Sequence, residues 1–177
     1  MSRIDLGSAE SLAQAANLAT LLFGGLDGIV NTAAIYPVAG AEGRLSEKQW
    51  DLTFKINVTG NFLLMEQTER IFKDQQLPAS VVLTGSANAV VPKRGSEAYD
   101  TSKSAVNHLV RELAIALAPH VRVNGIAPAT VVAGSTMFPR DRVMNSVARW
   151  AVPFERVRCF SSPLMTVTGI AARRHRC

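Results

Sequence analysis

The chain has 177 residues, 47% of them hydrophobic, and 19 Lys and Arg against 14 Asp and Glu, a formal net charge of +5. This length suits one globular domain, and the composition excludes a disordered chain. No apolar run approaches the roughly 18 residues of a membrane-spanning helix, and residues 1–10 lack the apolar core of a signal peptide. The two cysteines are too few for a disulfide framework or a zinc cluster. We therefore expect a cytoplasmic protein without a metal site or a membrane partner.

The positive charge is concentrated at one end of the chain. Residues 1–139 carry 11 basic and 12 acidic side chains, whereas residues 140–177 carry eight Arg and only two acidic residues. An excess of basic residues can indicate nucleic-acid binding. Because the body of the chain is close to neutral, we expect no nucleic-acid partner.

Apolar spacing and end signals predict alternating helices and strands. Gln49 follows Ser46 by three positions, which is the pattern of a capping box at a helix start. One side of the helix that begins there should be apolar, formed by Trp50, Phe54, Val58, Phe62 and Met65. The predicted helices cover residues 8–23, 46–73 and 97–118, and the predicted strands cover residues 26–34, 80–84 and 120–126. Alternation of this kind predicts an α/β fold with crossover connections and a parallel sheet.

Residues that could carry chemistry cluster around the second strand and the helix after it. Tyr99 and Lys103 are four residues apart and share one helix face. Ser86 directly follows the second strand and Asn31 closes the first, and functional groups gather at the carboxyl ends of strands in open parallel sheets. The alternative is a plain exposed helix face, with Ser86 serving only as a turn residue.

A phenol beside a lysine can act as a base towards an alcohol. An ammonium about 5 Å away favours the phenolate by roughly 3 kcal/mol at an effective dielectric constant of 20, or about two pKa units. We therefore expect Lys103 to lower the pKa of Tyr99, and a cationic nicotinamide ring would act in the same direction. Ser86 could hydrogen-bond the substrate oxygen as charge develops on it.

With these residues in place, the sequence from about residue 5 to residue 138 resembles the short-chain dehydrogenase/reductase family. That family combines a serine after its fifth strand, a Tyr-x-x-x-Lys helix and an asparagine in the preceding long helix. Carried over, the catalytic group is Ser86, Tyr99, Lys103 and Asn57. The resemblance implies a Rossmann-like, doubly wound parallel sheet, an NAD(P)-dependent oxidoreductase and a homo-oligomer. For Asn57, the alternative is a polar residue on a half-buried helix.

The resemblance also implies cofactor contacts. The segment from Asn31 to Ala34 is similar to the family's Asn-Asn-Ala-Gly strand end, and residues 122–129 are similar to the strand before its Pro-Gly turn. NAD is the expected cofactor, with NADP as the alternative. Asp5 corresponds to the acidic position at the adenine edge, although an Asp before a helix is often only a cap. The expected cofactor-binding residues are Asp5, Asn31, Ala33, Tyr99, Lys103, Pro128 and Val131.

A narrower resemblance concerns three segments, residues 31–37, 86–93 and 127–139. They are similar to the dehydrogenase module of bifunctional rhamnulose-1-phosphate aldolase/lactaldehyde dehydrogenases. Ala34 and Ala129 replace family glycines and fit this subgroup. The resemblance implies a small alcohol or aldehyde substrate of the lactaldehyde kind.

Several family features are missing from the sequence. It contains no glycine-rich turn of the kind that cradles a pyrophosphate. We expect an incomplete dinucleotide-binding domain over residues 1–152, with three parallel strands, and an unassigned, loose basic tail over residues 153–177. The switch to Arg, Cys and Ser near residue 155 suggests a frameshift or an unrelated end. The edge at residues 29–31 should lose its partner, and residues 3–6 should lack neighbours.

Three functions remain open at this point. The first is a short-chain oxidoreductase that is inactive as this isolated chain. The second is a non-catalytic scaffold that acts through subunit pairing of the helices at residues 46–73 and 97–118. The third, a nucleic-acid binder, rests on the overall charge alone. Binding of NAD to this chain would separate the first two.

Overall fold

The computed structural model describes residues 3–40, 42–129 and 170–172 of the chain. Its helices are α1 (Ala9–Phe23), α2 (Glu47–Phe54), α3 (Gly60–Gln75) and α4 (Glu97–Ala116). Its strands are β1 (Leu26–Asn31), β2 (Ala79–Thr84), β3 (Val121–Ile126) and β4 (Ile170–Ala172). A π-helical turn, Lys55–Thr59, joins α2 to α3, and a short 3₁₀ turn, Ala87–Ala89, follows β2. Within these described residues, no helix is long and apolar enough to cross a membrane.

The four strands form one sheet in the order β3-β2-β1-β4. Strand β2 lies between β1 and β3 and is parallel to both, with Gly28 opposite Ser80 and Ala79 opposite Val121. This arrangement confirms the predicted parallel three-stranded core with flanking helices. Because β1, β2 and β3 are parallel, their carboxyl ends lie at one edge of the sheet.

The predicted open edge at residues 29–31 is wrong at Ile29. Strand β4 pairs antiparallel with β1, placing Ile170 opposite Ile29 and Ala172 opposite Leu26. An edge strand presents unpaired N–H and C=O groups that accept another strand, and residues 170–172 pair here with Leu26, Gly28 and Ile29. The predicted loose tail is therefore wrong at residues 170–172. The proposed boundary at residues 152 and 153 lies outside the described residues.

Residues 3–6 do not lack neighbours either. Ile4 and Leu6 are partly buried and pack against the main hydrophobic core. The carbonyl oxygen of Leu6 would lie 2.9 Å from a Cβ placed on Gly60, so the segment runs directly over the start of α3. The prediction that this segment lacks neighbours is therefore wrong, because its two apolar side chains pack on the core.

The helix ends follow the local sequence. The Ser8 hydroxyl caps α1 by accepting from Ser11 N, and Gly24 ends the helix with a φ of 81°. The capping box at Ser46 and Gln49 is present, which confirms that prediction.

The single helix predicted for residues 46–73 is divided by the π turn. A π turn inserts one extra residue and rotates the following side chains around the helix. The predicted apolar side is therefore only partly buried. Met65 is 2% exposed, whereas Trp50 and Phe62 are 39% and 44% exposed.

One hydrophobic core holds the described elements together. It combines one face of the parallel strands with α1, α3 and α4, through Ile29, Val81, Leu83, Leu12, Phe72 and Val106. Alternate residues of β2 are buried, which matches the period of two along a strand. This packing determines where α4 begins relative to the carboxyl ends of β1 and β2.

Candidate active site

Two backbone hydrogen bonds join the segments that leave β2 and β3. Gly85 N donates to the Ile126 carbonyl at 2.7 Å, and Ala87 N donates to the Pro128 carbonyl at 3.0 Å. Ser86 lies between these two bonds and is buried. The structure therefore brings Ser86 and Pro128 together at the carboxyl edge of the sheet. Val131 lies outside the described residues.

Tyr99 and Lys103 share one face of α4, as predicted. The Lys103 ammonium nitrogen lies 5.5 Å from the centre of the Tyr99 ring and donates a 2.6 Å hydrogen bond to the Thr84 carbonyl. Lys103 is 2% exposed. Desolvation by this burial lowers the pKa of Lys103 to about 8.

The pKa of Tyr99 moves in the direction opposite to the one expected. Burial raises it most, and the negative charge of Asp100 and the nearby Tyr36 phenol add to the rise. The side-chain hydrogen bond with Ser86 acts in the other sense. The predicted lowering is therefore wrong for the chain alone, because the loss of water around the phenol is the largest influence on its pKa and raises it.

Tyr36 forms one wall of the site. Its ring centre lies 4.7 Å from that of Tyr99, with the two ring planes tilted by 59°. Such tilted pairs are favourable aromatic contacts. Sequence reasoning missed this residue, because its contact joins the loop after β1 to α4 across 63 positions of chain.

Asn57 is fully buried in the π turn, and its side-chain amide is occupied by protein partners. Its Oδ1 accepts from Ile35 N at 2.9 Å, and its Nδ2 donates to Ile35 O and to Ser102 Oγ, each at 3.0 Å. The Ser102 hydroxyl donates in turn to the Tyr99 carbonyl at 2.7 Å. In the described structure the Asn57 side chain thus holds the loop after β1 against α4. The alternative of a polar residue on a half-buried helix does not describe Asn57, because its side chain is fully buried.

Asn31 is also occupied within the protein. Its Nδ2 donates to Asn61 Oδ1 at 2.7 Å, and its Oδ1 accepts from Ala33 N at 3.1 Å. Asn61 donates to the Asn57 carbonyl at 2.6 Å, so a chain of amide groups joins the end of β1 to the π turn. Sequence reasoning missed Asn61, although its spacing of four from Asn57 was a signal.

Asp5 is exposed, and its hydrogen bonds are made within its own turn and to the start of α1. Its Oδ1 accepts from Gly7 N at 2.8 Å, while its backbone N donates to Ser11 Oγ at 2.9 Å. Ser8, and not Asp5, is the N-cap of α1. The local turn is therefore the role the structure gives to Asp5. In the described part of the chain, no three His, Cys, Asp or Glu side chains are grouped closely enough to hold a metal ion.

Comparison with known proteins agrees with this geometry. A family model described as Enoyl-(Acyl carrier protein) reductase matches residues 1–157. The human Dehydrogenase/reductase SDR family member 4 is 35% identical over 129 residues, which cover 71% of this chain and 45% of that protein. The chain belongs to the short-chain dehydrogenase/reductase family. The short-chain dehydrogenases and reductases are oxidoreductases.

Two further matches place the chain within this family. Residues covering 76% of this short-chain dehydrogenase/reductase chain superpose on 53% of Pseudomonas aeruginosa RhlG, solved as an NADP active-site complex, with a TM-score of 0.67 and 29% identity. The uncharacterized oxidoreductase YuxG of Bacillus subtilis is 30% identical over 137 residues, which cover 77% of this chain and 20% of YuxG. The chain spans about half the length of most relatives named here and a fifth of YuxG.

Proposed function

We propose that this chain carries the catalytic residues of an NAD(P)-dependent short-chain dehydrogenase/reductase that acts on a small alcohol or aldehyde. The observation that carries the proposal is the Tyr99 phenol, whose ionisation Ser86 favours and which the buried Lys103 ammonium flanks at 5.5 Å from the ring centre. Family membership and the place of these residues at the carboxyl edge of the sheet support it. The proposed catalytic residues are Ser86, Tyr99 and Lys103, and Asn57 is proposed to position them.

The described residues fit only part of a nicotinamide dinucleotide. Tyr99 is half-buried and Lys103 lies beside it, so a hydroxyl-rich sugar could accept and donate hydrogen bonds there. No glycine-rich turn in the sequence offers backbone N–H groups to a pyrophosphate. We therefore assign the nicotinamide and its ribose to Tyr99, Lys103, the end of β1 near Asn31 and Ala33, and the segment from Pro128 to Val131. We expect the isolated chain to hold the dinucleotide weakly and to show little turnover.

The proposed reaction is transfer of a hydride between a carbon of the substrate and the nicotinamide, which supplies that chemistry when bound. Tyr99 transfers the proton on the substrate oxygen, and Ser86 donates a hydrogen bond to the same oxygen. Because burial raises the pKa of Tyr99, the phenol is protonated near neutral pH. In this state Tyr99 acts as the acid in reduction of an aldehyde. Asn57 acts as a positioning residue, because it holds the loop that carries Tyr36.

The substrate we propose is a small hydroxyaldehyde of the lactaldehyde kind, with NAD as the cofactor. The resemblance of residues 86–93 and 127–139 to lactaldehyde dehydrogenase modules supports this substrate. The matched residues make up only 20% of YuxG, which supports the proposal that this chain corresponds to a module of much longer proteins. On this proposal the enzyme works in the cytoplasm.

Binding of reduced nicotinamide mononucleotide and of NADH tests the proposal directly. We expect both to bind this chain in the millimolar range, followed by their fluorescence, and Tyr99→Phe to weaken both. If Asp5 contacts adenine, Asp5→Ala weakens NADH alone, so the mononucleotide is the internal control. Slow oxidation of NADH by lactaldehyde, lost in Tyr99→Phe, would add a direct measure of turnover. If neither reduced nicotinamide mononucleotide nor NADH binds at millimolar concentration, the proposed function is refuted for this chain.

A scaffold that acts through subunit pairing is the second candidate. Large apolar side chains stay exposed along α2 and α3, namely Trp50, Leu52 and Phe62. Exposed large apolar side chains are of the kind that an interface between copies of the chain would bury. Sedimentation of the wild type and of a Leu52→Lys variant tests it, and a monomer at all concentrations would exclude this candidate.

A further inference from the structure

Asp100 is the one acidic side chain that is buried among the residues the structure describes, with 7% of its surface exposed. A buried carboxylate is costly unless several donors surround it. Oδ1 accepts from Asn88 Nδ2 at 2.9 Å, and Oδ2 accepts from Lys93 N at 2.8 Å and from Ser96 Oγ at 2.9 Å. The family's catalytic group, as carried over above, does not include this residue.

All three donors lie in one segment, residues 86–96, which runs from the end of β2 to the start of α4. The carboxylate therefore draws both ends of the segment towards the first turn of α4. Asn88 links it to the reactive residues, because Asn88 N donates to Ser86 Oγ at 3.1 Å while its side chain bonds Asp100. The connection runs from Asp100 through Asn88 to Ser86.

Ser86 in turn acts on the phenol of Tyr99, the neighbour of Asp100 on the helix, and favours its ionised form. The groups that face the Tyr99 phenol are thus Ser86 after β2, Tyr36 after β1, and Asp100 and Lys103 on α4. A carboxylate so close to the reactive phenol opposes its ionisation, so its charge alone is unfavourable for a base at Tyr99. The hydrogen bonds that Asp100 accepts from residues 86–96 offset this unfavourable charge and explain an acidic residue beside Tyr99.

We propose that Asp100 is a positioning residue, whose carboxylate fixes residues 86–96 so that the Ser86 hydroxyl stays beside the Tyr99 phenol. This inference deepens the proposed function and rests on it for its catalytic meaning. The geometry itself concerns only groups of this chain.

The test is a double-mutant cycle read from the ionisation of Tyr99. The chain holds two tyrosines, so Tyr36→Phe leaves Tyr99 as the single phenol, and its titration is followed by absorbance at alkaline pH in the full chain. In this background, Ser86→Ala should reduce the ionisation constant of Tyr99 a few-fold, because a hydrogen bond that favours the phenolate is lost. The same substitution should have no effect when Asp100 is already Ala, because Ser86 is then displaced.

Matched variants separate geometry from charge and from stability. Asp100→Asn keeps the size and one acceptor, so the effect of Ser86→Ala should persist while Tyr99 ionises more readily. Asn88→Ala removes the hydrogen bond between Asn88 and Asp100 and leaves Asp100 in place, so Ser86→Ala should then have no effect on the ionisation of Tyr99. This variant tests the role of Asp100 if Asp100→Ala fails to fold. Glu97→Ala is the control, because the exposed Glu97 accepts from Gly95 N at 3.2 Å in the same segment and should change nothing.

A full effect of Ser86→Ala in both the Asp100→Ala and the Asn88→Ala backgrounds would overturn the positioning role. The titration needs neither cofactor nor substrate, so it is independent of the binding test above. If the effect of Ser86→Ala depends on Asp100 in a chain that binds no nicotinamide, the proposed function alone is refuted. If that effect is independent of Asp100 in a chain that binds nicotinamide, the role of Asp100 alone is refuted.

Discussion

The buried Lys103 predicts that the fold becomes more stable as the pH rises above 8. The pKa of this ammonium is about 8 in the folded chain, against an ordinary value of 10.5, and burial is the cause. Below pH 8 both folded and unfolded chains carry the charge, and the full cost of burying it is present. Between pH 8 and 10.5 the unfolded chain binds more protons than the folded one, so the free energy of unfolding rises with pH.

The gap between the two pKa values corresponds to about 3 kcal/mol in total. The hydrogen bond to the Thr84 carbonyl does not change this sign, because a neutral amine also donates to it. Above pH 10 the raised pKa of Tyr99 acts in the opposite direction, since the unfolded chain then loses its phenol proton first. The useful window therefore runs from pH 8 to about pH 10, over which the gain is about 2 kcal/mol.

Urea unfolding at pH 7, 8, 9 and 10 measures this gain in the wild type and in Lys103→Met. The difference between the two free energies of unfolding removes the contribution of all other titrating groups. We expect it to move in favour of the wild type by about 2 kcal/mol between pH 8 and pH 10. Lys48→Met, at an exposed lysine, should show no such change. A difference that stays constant across this range would show that Lys103 titrates like an exposed lysine.

Three further predictions concern stability. Gly28→Ala should lower the free energy of unfolding in urea by about 1–3 kcal/mol, because the added Cβ would lie 2.6 Å from a backbone oxygen of β2. In the control Gly40→Ala the nearest backbone atom would be 3.9 Å from the new Cβ, so the loss should be less than about 0.5 kcal/mol. Equal losses in the two variants would contradict this account. Asn57→Ala should cost about 2 kcal/mol or more, because it leaves the N–H and C=O of Ile35 without their partners, and an unchanged urea midpoint would exclude that role. Ser46→Ala should cost about 1 kcal/mol through loss of the capping box, visible as a lower Tm; an unchanged Tm would mean that the cap contributes nothing.

The secondary structure could be predicted because its signals are local. A capping serine, an apolar period and a glycine in the left-handed region act within a few residues, so α1 and α4 lie within two residues of their predicted bounds. The pairing of Tyr99 with Lys103 was predictable for the same reason, since residues four apart share a helix face whatever the helix packs on. Strand β4 was not, because its pairing with β1 joins segments some 140 residues apart and depends on an open edge.

Local sequence patterns therefore specify most of the helices, the parallel strands and the types of residue that meet at their carboxyl edge. The electrostatic state of that edge depends on how the distant segments pack. Burial is a sum over contacts from distant parts of the chain, and it raises the pKa of Tyr99 although Lys103 lies beside it. The same packing buries Asp100 under residues 86–96 and brings Tyr36 against Tyr99. Spacing along a chain specifies which groups can meet, whereas the loss of water around them, which sets their charge, exists only in the folded protein.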